Sequence, residues 1–267
     1  MKINFQGRAA LLRGFVFGRR ISAALLLLAA LILFFAVGAT AETTNTLSDA
    51  EIQGHALAQQ LCDTRPAENI ANTGILQIRD VKGNRTNIRI KFDTFVTSNS
   101  WSSRFNAVLT NKIEIEFQIY HKNNSPNIYV NNAQNSVVQT PFSDSQKYLP
   151  FANSDFWLCD LGLEFFHWPQ QKVLKKEFHR QCACMVLEST NPNPTTNSYS
   201  RVVSWIDEDS LGIVEAYAYD MDGKKLKNFY PKSFEKDKAN GQYQVQSMVM
   251  ENLQTGSKTW LEFDLKQ

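Results

Sequence analysis

The sequence lacks the short motifs through which many enzymes bind nucleotides or activate a nucleophile. It has no glycine-rich phosphate loop, no C-x-x-C pair and no serine in a nucleophile-elbow setting beside His167. It also has no repeat of fixed period and no low-complexity tail. These absences exclude a recognisable catalytic motif, and they favour a protein that is not an enzyme and needs no cofactor.

The first 41 residues carry a strong targeting signal. Five basic residues precede an uncharged apolar run from Ile21 to Val37, and small residues follow as Ala39-Thr40-Ala41. This is the pattern of a secretory signal peptide, so we expect export to the periplasm and cleavage after Ala41. Residues 42–267 would then form a single domain. The apolar run is nearly long enough to span a bilayer, so an uncleaved membrane anchor is the alternative.

The chain that would remain after cleavage is mildly acidic. Removing five basic residues from a chain of formal net charge +2 leaves a net charge of −3. Binding to nucleic acid needs a concentrated basic face, so no nucleic-acid partner is predicted. The remaining length suits one domain with a sizeable core.

Four cysteines remain, in a compartment where disulfides form. Cys182 and Cys184 lie two apart in one predicted strand and point the same way, which is poor geometry for a bridge between them. We therefore expect disulfides that join Cys62 and Cys159 to this strand, with free buried thiols as the alternative. On a continuous strand His179 would face away from Cys182, so no metal site is predicted.

One helix is predicted at the start of the domain. Ser48-Asp49-Ala50-Glu51 has the form of a capping box, and a helix should follow to about Cys62 before Arg65-Pro66 ends it. The apolar side chains on one face of this helix should lie against a sheet. Those side chains are Ile52, Ala56, Leu57 and Leu61.

After this helix, the spacing of apolar residues changes from the helical period to a period of two residues, which is typical of β-strands. In the clearest case Ile113, Ile115, Phe117 and Ile119 alternate with polar residues, which predicts a strand with one solvent-exposed and one buried face. Consecutive strands of this kind with short turns, such as Asp222-Gly223, indicate an antiparallel meander. Other strands are expected over residues 76–78, 88–92, 127–130, 177–188, 199–207, 212–220, 242–252 and 258–265, with polar connectors over 97–103 and 121–126.

The stretch from Asp155 to Pro169 is different. Ser154-Asp155 would cap a short helix to about Leu161, and large apolar residues crowd together without a strict period. We expect a plug or lid that lines a lipid cavity, with Met248 and Met250 as an adaptable wall. The alternative is that the same side chains fill the core. The candidates in this stretch are Phe156, Trp157, Leu158, Leu161, Leu163, Phe165, Phe166 and Trp168.

Several segments of the second half resemble the LolA-like outer-membrane lipoprotein-sorting proteins. The resemblance rests on DFWLCDLGLEFFHWP at 155–169, CMVLEST at 184–190, YSRVVSWID at 199–207, AYAYDMDGKKLKNF at 216–229 and SMVMENLQTGSKTWLEF at 247–263. It implies a mainly β, α+β fold, namely a half-open antiparallel β-barrel with helices covering its concave face. It also implies a cavity for acyl chains, and a strand arginine bonded to the lid whose position in this sequence the resemblance does not fix.

Two functions from different classes follow. The first is a non-catalytic periplasmic carrier or receptor for the acyl part of lipoproteins or lipids, with a membrane-bound donor or acceptor as a further partner. The second is an envelope sensor or scaffold of the same fold with a filled core and no lipid cargo. A third, weaker class is an enzyme that uses the cysteines. An open cavity beneath the tryptophan-rich stretch favours the first.

Overall fold

A computed structural model describes residues 46–122, 125–131, 140–236 and 243–264. The predicted signal peptide, residues 1–41, lies outside the described residues, so its cleavage stays a prediction. The helical elements are α1 (Asp49–Asp63), α2 (Leu158–Leu161) and 3₁₀ turns at Asp144–Tyr148, Phe151–Asn153 and Glu164–His167. The strands are β1 (Ile70–Arg79), β2 (Arg85–Val96), β3 (Ser100–Val108), β4 (Glu114–Lys122), β5 (Ile128–Asn131), β6 (Thr140–Pro141), β7 (Gln170–His179), β8 (Cys182–Thr190), β9 (Arg201–Asp207), β10 (Ile213–Tyr219), β11 (Lys225–Lys236), β12 (Tyr243–Asn252) and β13 (Lys258–Asp264).

These strands form one antiparallel sheet. Its order is β6-β5-β4-β3-β2-β1-β13-β12-β11-β10-β9-β8-β7, so every strand pairs with a neighbour in sequence except where β1 meets β13. The sheet is unclosed, since β6 and β7 are its two edges. The predicted mainly β, α+β fold with a half-open antiparallel meander is therefore confirmed.

The alternating pattern places most strands correctly. In β4, Phe117 and Ile119 are buried, whereas Ile113 lies in the turn before the strand and is 54% exposed. The predicted connector over 97–103 is wrong in its second half, because β3 begins at Ser100. The predicted connector over 121–126 likewise begins too early, since His121 still belongs to β4.

Helix α1 begins and ends close to the predicted positions. The Ser48 hydroxyl accepts a hydrogen bond from the Glu51 backbone N–H, and the Glu51 carboxylate accepts one from the Ser48 N–H at 2.7 Å. The helix packs on β7, where Gly54 comes so close to Gln171 that an added Cβ would lie 2.5 Å from its backbone. Leu57 is buried as expected, but Ile52 is 53% exposed and does not belong to the packed face.

A hairpin replaces the single strand predicted over 177–188. Arg180 and Gln181 form its turn with φ angles of 46° and 70°, and His179 pairs with Cys182 across it. His179 therefore does not lie on the opposite face from Cys182, because directly paired residues point to the same side of a sheet. The His179 side chain contacts Glu215, with Nε2 and Oε2 2.7 Å apart.

The predicted disulfides are not formed, and all four cysteine thiols are free. Cys62 and Cys159 pack with Leu187, whose side chain points to the concave face of β8. Successive strand residues point to opposite faces, so Cys184, three positions from Leu187, points to the convex face, and so does Cys182. The sheet itself thus separates the two pairs of thiols.

The C-terminal strands and their turns follow the prediction. Gly223 and Gly256 have φ angles of 74° and 77° in the β10–β11 and β12–β13 turns, a conformation that favours glycine. The prediction omitted β11, whose pairing with β12 is irregular around Pro231 and Ser233. Pro231 lacks a backbone N–H, so it makes a strand hard to recognise from sequence.

Two apolar clusters cover the concave face. The first lies on β1–β4, β12 and β13, with Phe105, Phe117 and Leu261 among its buried members. The second lies on β7–β10 and beneath α1, and it includes Leu57 and Val202. The segment between β6 and β7 contributes side chains to both clusters.

Candidate functional site

A large cavity lies between the concave face of the sheet, the end of α1 and the covering segment, which we define as residues 155–169. Its volume is about 620 Å³, within the roughly 300–1,000 Å³ typical of ligand pockets. Phe92, Phe105 and Phe263 line it from the sheet, and Leu61 lines it from α1. Most of its wall is therefore apolar.

The cavity reaches solvent at one side. Ile70 and Val245 line it and remain 37% and 36% exposed. Apolar side chains that line a concave surface and stay in contact with water are typical of a binding site. The interior is therefore not packed solid by its own side chains.

The predicted cavity or lid residues fall into two groups. Residues of the first group line the cavity and residues of the second do not, although members of both groups pack within or against an apolar cluster. The first group is Phe156, Leu161, Leu163, Phe166 and Met248. The second group is Trp157, Leu158, Phe165, Trp168 and Met250.

Asp155 fixes the start of the covering segment to β13. Its carboxylate accepts hydrogen bonds from the Ser257 hydroxyl at 2.5 Å and the Thr259 hydroxyl at 2.8 Å. The predicted helix cap at Ser154-Asp155 is wrong. Helix α2 starts instead after Trp157, whose backbone N–H donates to the Asp160 carboxylate at 2.8 Å.

A buried lysine joins the sheet to the covering segment. Lys227 of β11 donates to the Asp155 carbonyl at 2.6 Å, and its Nζ lies 3.6 Å from an Asp160 carboxylate oxygen. Its Nζ also lies 3.5 Å from the centroid of the Trp157 ring. The Tyr199 hydroxyl completes the group by donating to both Asp160 oxygens, at 2.8 and 3.0 Å.

Each charge of this pair depends on the other. Burial raises the pKa of Asp160, and Lys227 opposes that rise. Burial lowers the pKa of Lys227, and Asp160 opposes that fall. Removing one partner would leave the other charge buried without compensation, which is costly in a protein interior.

Lys227 is not among the residues predicted from the sequence. The resemblance implies a strand arginine bonded to the lid, and the structure has a strand lysine that makes contacts of this kind. A signal was present, because Lys227 lies two residues before Phe229 and so shares its concave face. A basic residue on the buried face of a strand indicates a specific partner.

Cys62 and His167 meet at the wall between this cavity and a neighbouring one of about 280 Å³. The Cys62 Sγ lies 3.6 Å from the His167 Nδ1. Burial raises the pKa of Cys62 to about 12 and lowers the pKa of His167. The thiol is therefore protonated near neutral pH, unlike the thiolate of an activated cysteine.

Two other kinds of feature concern the function: clusters of metal ligands and helices that span a membrane. Within the residues that the structure describes, no three side chains of His, Cys, Asp or Glu gather as metal ligands would. Among the helices of the same residues, none combines the length and the apolar character that crossing a bilayer requires.

A protein-family model described as "Uncharacterized protein" matches residues 119–266. The chain belongs to this family. The matched residues include the covering segment and all strands from β7 to β13. No curated protein matches the sequence.

Solved structures with the same fold support the resemblance to LolA-like proteins. A DUF1329 family protein from Desulfovibrio piger is 19% identical, with a TM-score of 0.65, over 81% of this chain and 92% of that chain. A domain described as an outer membrane lipoprotein-sorting protein, from Vibrio parahaemolyticus, is 18% identical, with a TM-score of 0.66, over 80% and 92%. A LolA superfamily protein from Nitrosomonas europaea is 15% identical, with a TM-score of 0.56, over 82% and 93%. The LolA-like fold is thus confirmed.

Proposed function

We propose that this protein is a non-catalytic periplasmic carrier or receptor for the acyl part of lipoproteins or lipids, exported by a signal peptide that is cleaved after Ala41. The observation that carries the proposal is the apolar cavity of about 620 Å³ beneath the covering segment. The LolA-like fold supports the same function, because one neighbour of that fold is described as lipoprotein-sorting.

The physical basis is the transfer of an acyl chain from water to an apolar wall. Each buried CH₂ contributes about 0.8 kcal/mol, so partial enclosure of one chain gives useful affinity. Phe92 and Phe263 offer rigid apolar surface, while Met248 offers an adaptable side chain that adjusts to chains of different shape. No cofactor is needed for this process.

The cavity favours this function over the two other classes. A sensor or scaffold with a filled core would not contain an apolar cavity that reaches solvent beside Ile70 and Val245. A cysteine enzyme at this cavity would need an activated thiolate, whereas burial raises the pKa of Cys62, the cysteine that lines it, to about 12.

A paired substitution tests the proposal. Met248→Asp places a charge on the cavity wall, and Met221→Asp makes the same change at an exposed turn. The unmodified protein should bind an environment-sensitive fatty-acyl probe with 1:1 stoichiometry. Met248→Asp should weaken binding at least about tenfold, since a buried charge next to an acyl chain is unfavourable. Met221→Asp should bind as the unmodified protein does.

Two results would contradict the proposal. One is the failure of the unmodified, folded protein to bind any acyl probe. The other is equal probe affinity for Met248→Asp and Met221→Asp, with circular dichroism showing both variants folded. Mass spectrometry of lipids that copurify with the protein would identify the cargo directly, and it would also indicate which membrane-bound donor or acceptor to seek.

A further inference from the structure

The β11–β12 hairpin extends past its neighbouring strands at the side where the cavity reaches solvent. In the part of the sheet that the structure describes, β10 pairs with β11 only as far as Phe229, and β13 pairs with β12 only from Ser247 onward. Beyond those points the two strands pair with each other, from Ser233 to the end of β11. We call residues 232–236 and 243–246 the ribbon.

Two β-bulges set the direction of the ribbon's side chains. The pairing skips Lys232 on β11 and Gln246 on β12. Each extra residue reverses the alternation of the side chains that follow it. Regular alternation would place Val245 on the face opposite to Met248, but after the bulge both residues line the cavity. Phe234 pairs directly with Val245, so it lies on the same face.

An apolar row therefore continues from the cavity onto the ribbon. Phe229 and Pro231 of β11 line the cavity, and Phe234 follows them on the same face of the strand. Phe234 is 55% exposed, and Val245 beside it is 36% exposed. Exposed apolar side chains that continue the wall of an apolar cavity indicate a surface that a ligand covers.

The opposite face of the ribbon is polar and has its partners within the protein. The Ser233 and Ser247 hydroxyl oxygens lie 2.7 Å apart, and the Ser233 hydroxyl donates to the Gln246 Oε1 at 3.2 Å. The Gln246 Nε2 donates to the Glu235 carboxylate at 3.3 Å. These bonds hold the bulged geometry, so the direction of Phe234 and Val245 is set before any ligand arrives.

Building on the proposed carrier function, we propose that Phe234 and Val245 form an outer part of the binding site, on which an acyl chain lies where it leaves the cavity. The inner part of the chain contacts the cavity wall, and the part nearer its polar end covers the ribbon. The polar end then lies beyond the ribbon, in water. The ligand class that fits is an acyl chain longer than the cavity, attached to a group that stays outside.

Photo-crosslinking tests this contact directly. p-Benzoylphenylalanine replaces Phe234 in one variant. In the matched control it replaces Phe178, a 75% exposed phenylalanine of β7 that is not among the residues lining the cavity. Both variants are saturated with palmitate, irradiated and measured by mass spectrometry of the intact protein. We expect a palmitate adduct at position 234 and none at position 178.

Substitution by serine gives an independent readout. Phe234→Ser should lower the affinity for palmitate about fivefold, because part of a large apolar side chain is lost from the contact. Val245→Ser should lower it in the same way, and it serves as the second variant if Phe234→Ser does not fold. Phe178→Ser should bind palmitate as the unmodified protein does. Displacement of a fluorescent acyl probe measures the affinities, and circular dichroism checks the fold.

The outcomes separate this inference from the carrier function. If the crosslinking variant at position 234 binds the acyl probe but forms no more palmitate adduct than the variant at position 178, the inference is overturned and the carrier function stands. The same holds if folded Phe234→Ser and Phe178→Ser bind palmitate equally well. If the folded protein binds no acyl ligand at all, both proposals fail together.

Discussion

Two polar groups on the concave face differ in how their hydrogen-bonding capacity is met. Lys227 is contacted by a carbonyl, a carboxylate and an aromatic ring, and its partner Asp160 accepts from a tyrosine and a backbone N–H. His121 is held less fully: its ring stacks on Trp101 and interacts with the Asn127 side chain, but its buried Nε2 makes no hydrogen bond of good geometry within the described residues. Both groups face the same apolar interior.

This difference indicates different roles for the two groups. A buried ionic network with all its partners present fixes one arrangement of the chain, here the covering segment on the sheet. A buried polar group whose hydrogen bonds are incomplete costs free energy of folding instead of contributing to it. Lys227 is thus expected to contribute more to stability at neutral pH than His121 does.

The largest expected effect is on the network. Lys227→Met leaves Asp160 charged and buried, so the free energy of unfolding should fall by about 3–5 kcal/mol. Urea denaturation followed by tryptophan fluorescence would measure it. Lys224→Met, at a lysine whose side chain is 74% exposed, is the matched control and should change little. The double variant Lys227→Met with Asp160→Asn should recover part of the loss. Equal stability for the two lysine variants would contradict the structural role of Lys227.

His121 should give a smaller effect that depends on pH. Burial lowers its pKa from 6.5 to about 4, so between these values the unfolded chain binds a proton that the folded chain does not. Stability should therefore decrease as pH falls from 6.5 to 4, by about 3 kcal/mol in total from this group. His121→Phe should remove this part of the pH dependence. Unfolding curves at pH 4, 5.5 and 7 would measure it, and parallel profiles for the two proteins would show that His121 is not buried as described.

Tyr199 should give the smallest of the three effects. Tyr199→Phe removes the hydroxyl that donates to Asp160, while Lys227 and the Trp157 N–H remain. We expect a loss of about 1–2 kcal/mol in thermal or urea unfolding. Tyr219→Phe is the control, because the Tyr219 ring contacts Arg201 through its face, which phenylalanine retains. If Tyr199→Phe lowers the free energy of unfolding no more than Tyr219→Phe does, the Tyr199 hydroxyl does not contribute to the network.

Local signals predicted the parts of the fold that are decided locally. The Ser48–Glu51 capping box set the start of α1, and Asp222-Gly223 marked a hairpin turn. The β7–β8 hairpin was missed because Arg180 and Gln181 adopt positive φ angles without being glycine or asparagine. Because that turn was overlooked, the argument that placed His179 on the opposite face from Cys182 started from the wrong geometry.

The candidate site was predicted only in part. The crowded aromatic residues indicated a covering segment. The sequence could not tell Phe156, which lines the cavity, from Phe165, which does not, since both are buried in apolar clusters. That distinction depends on where the two clusters leave space, which is a property of the tertiary packing. The start of β3 is rich in serine, a residue typical of loops, so the sequence predicted a connector there. Ser103 in fact belongs to the strand and lines the cavity.

The pairing of β1 with β13 has a consequence for how the molecule assembles. Thr73 and Asp264, which are hydrogen-bonded across that seam, are 191 positions apart in the sequence. The meander from β1 to β6 and the meander from β7 to β13 can each grow by short-range hairpin pairing, whereas the seam requires closing a very long loop. Until it closes, both meanders present an unpaired inner edge that is open to pairing with other chains. These two inner edges are thus where misassembly with other chains is expected before the seam forms.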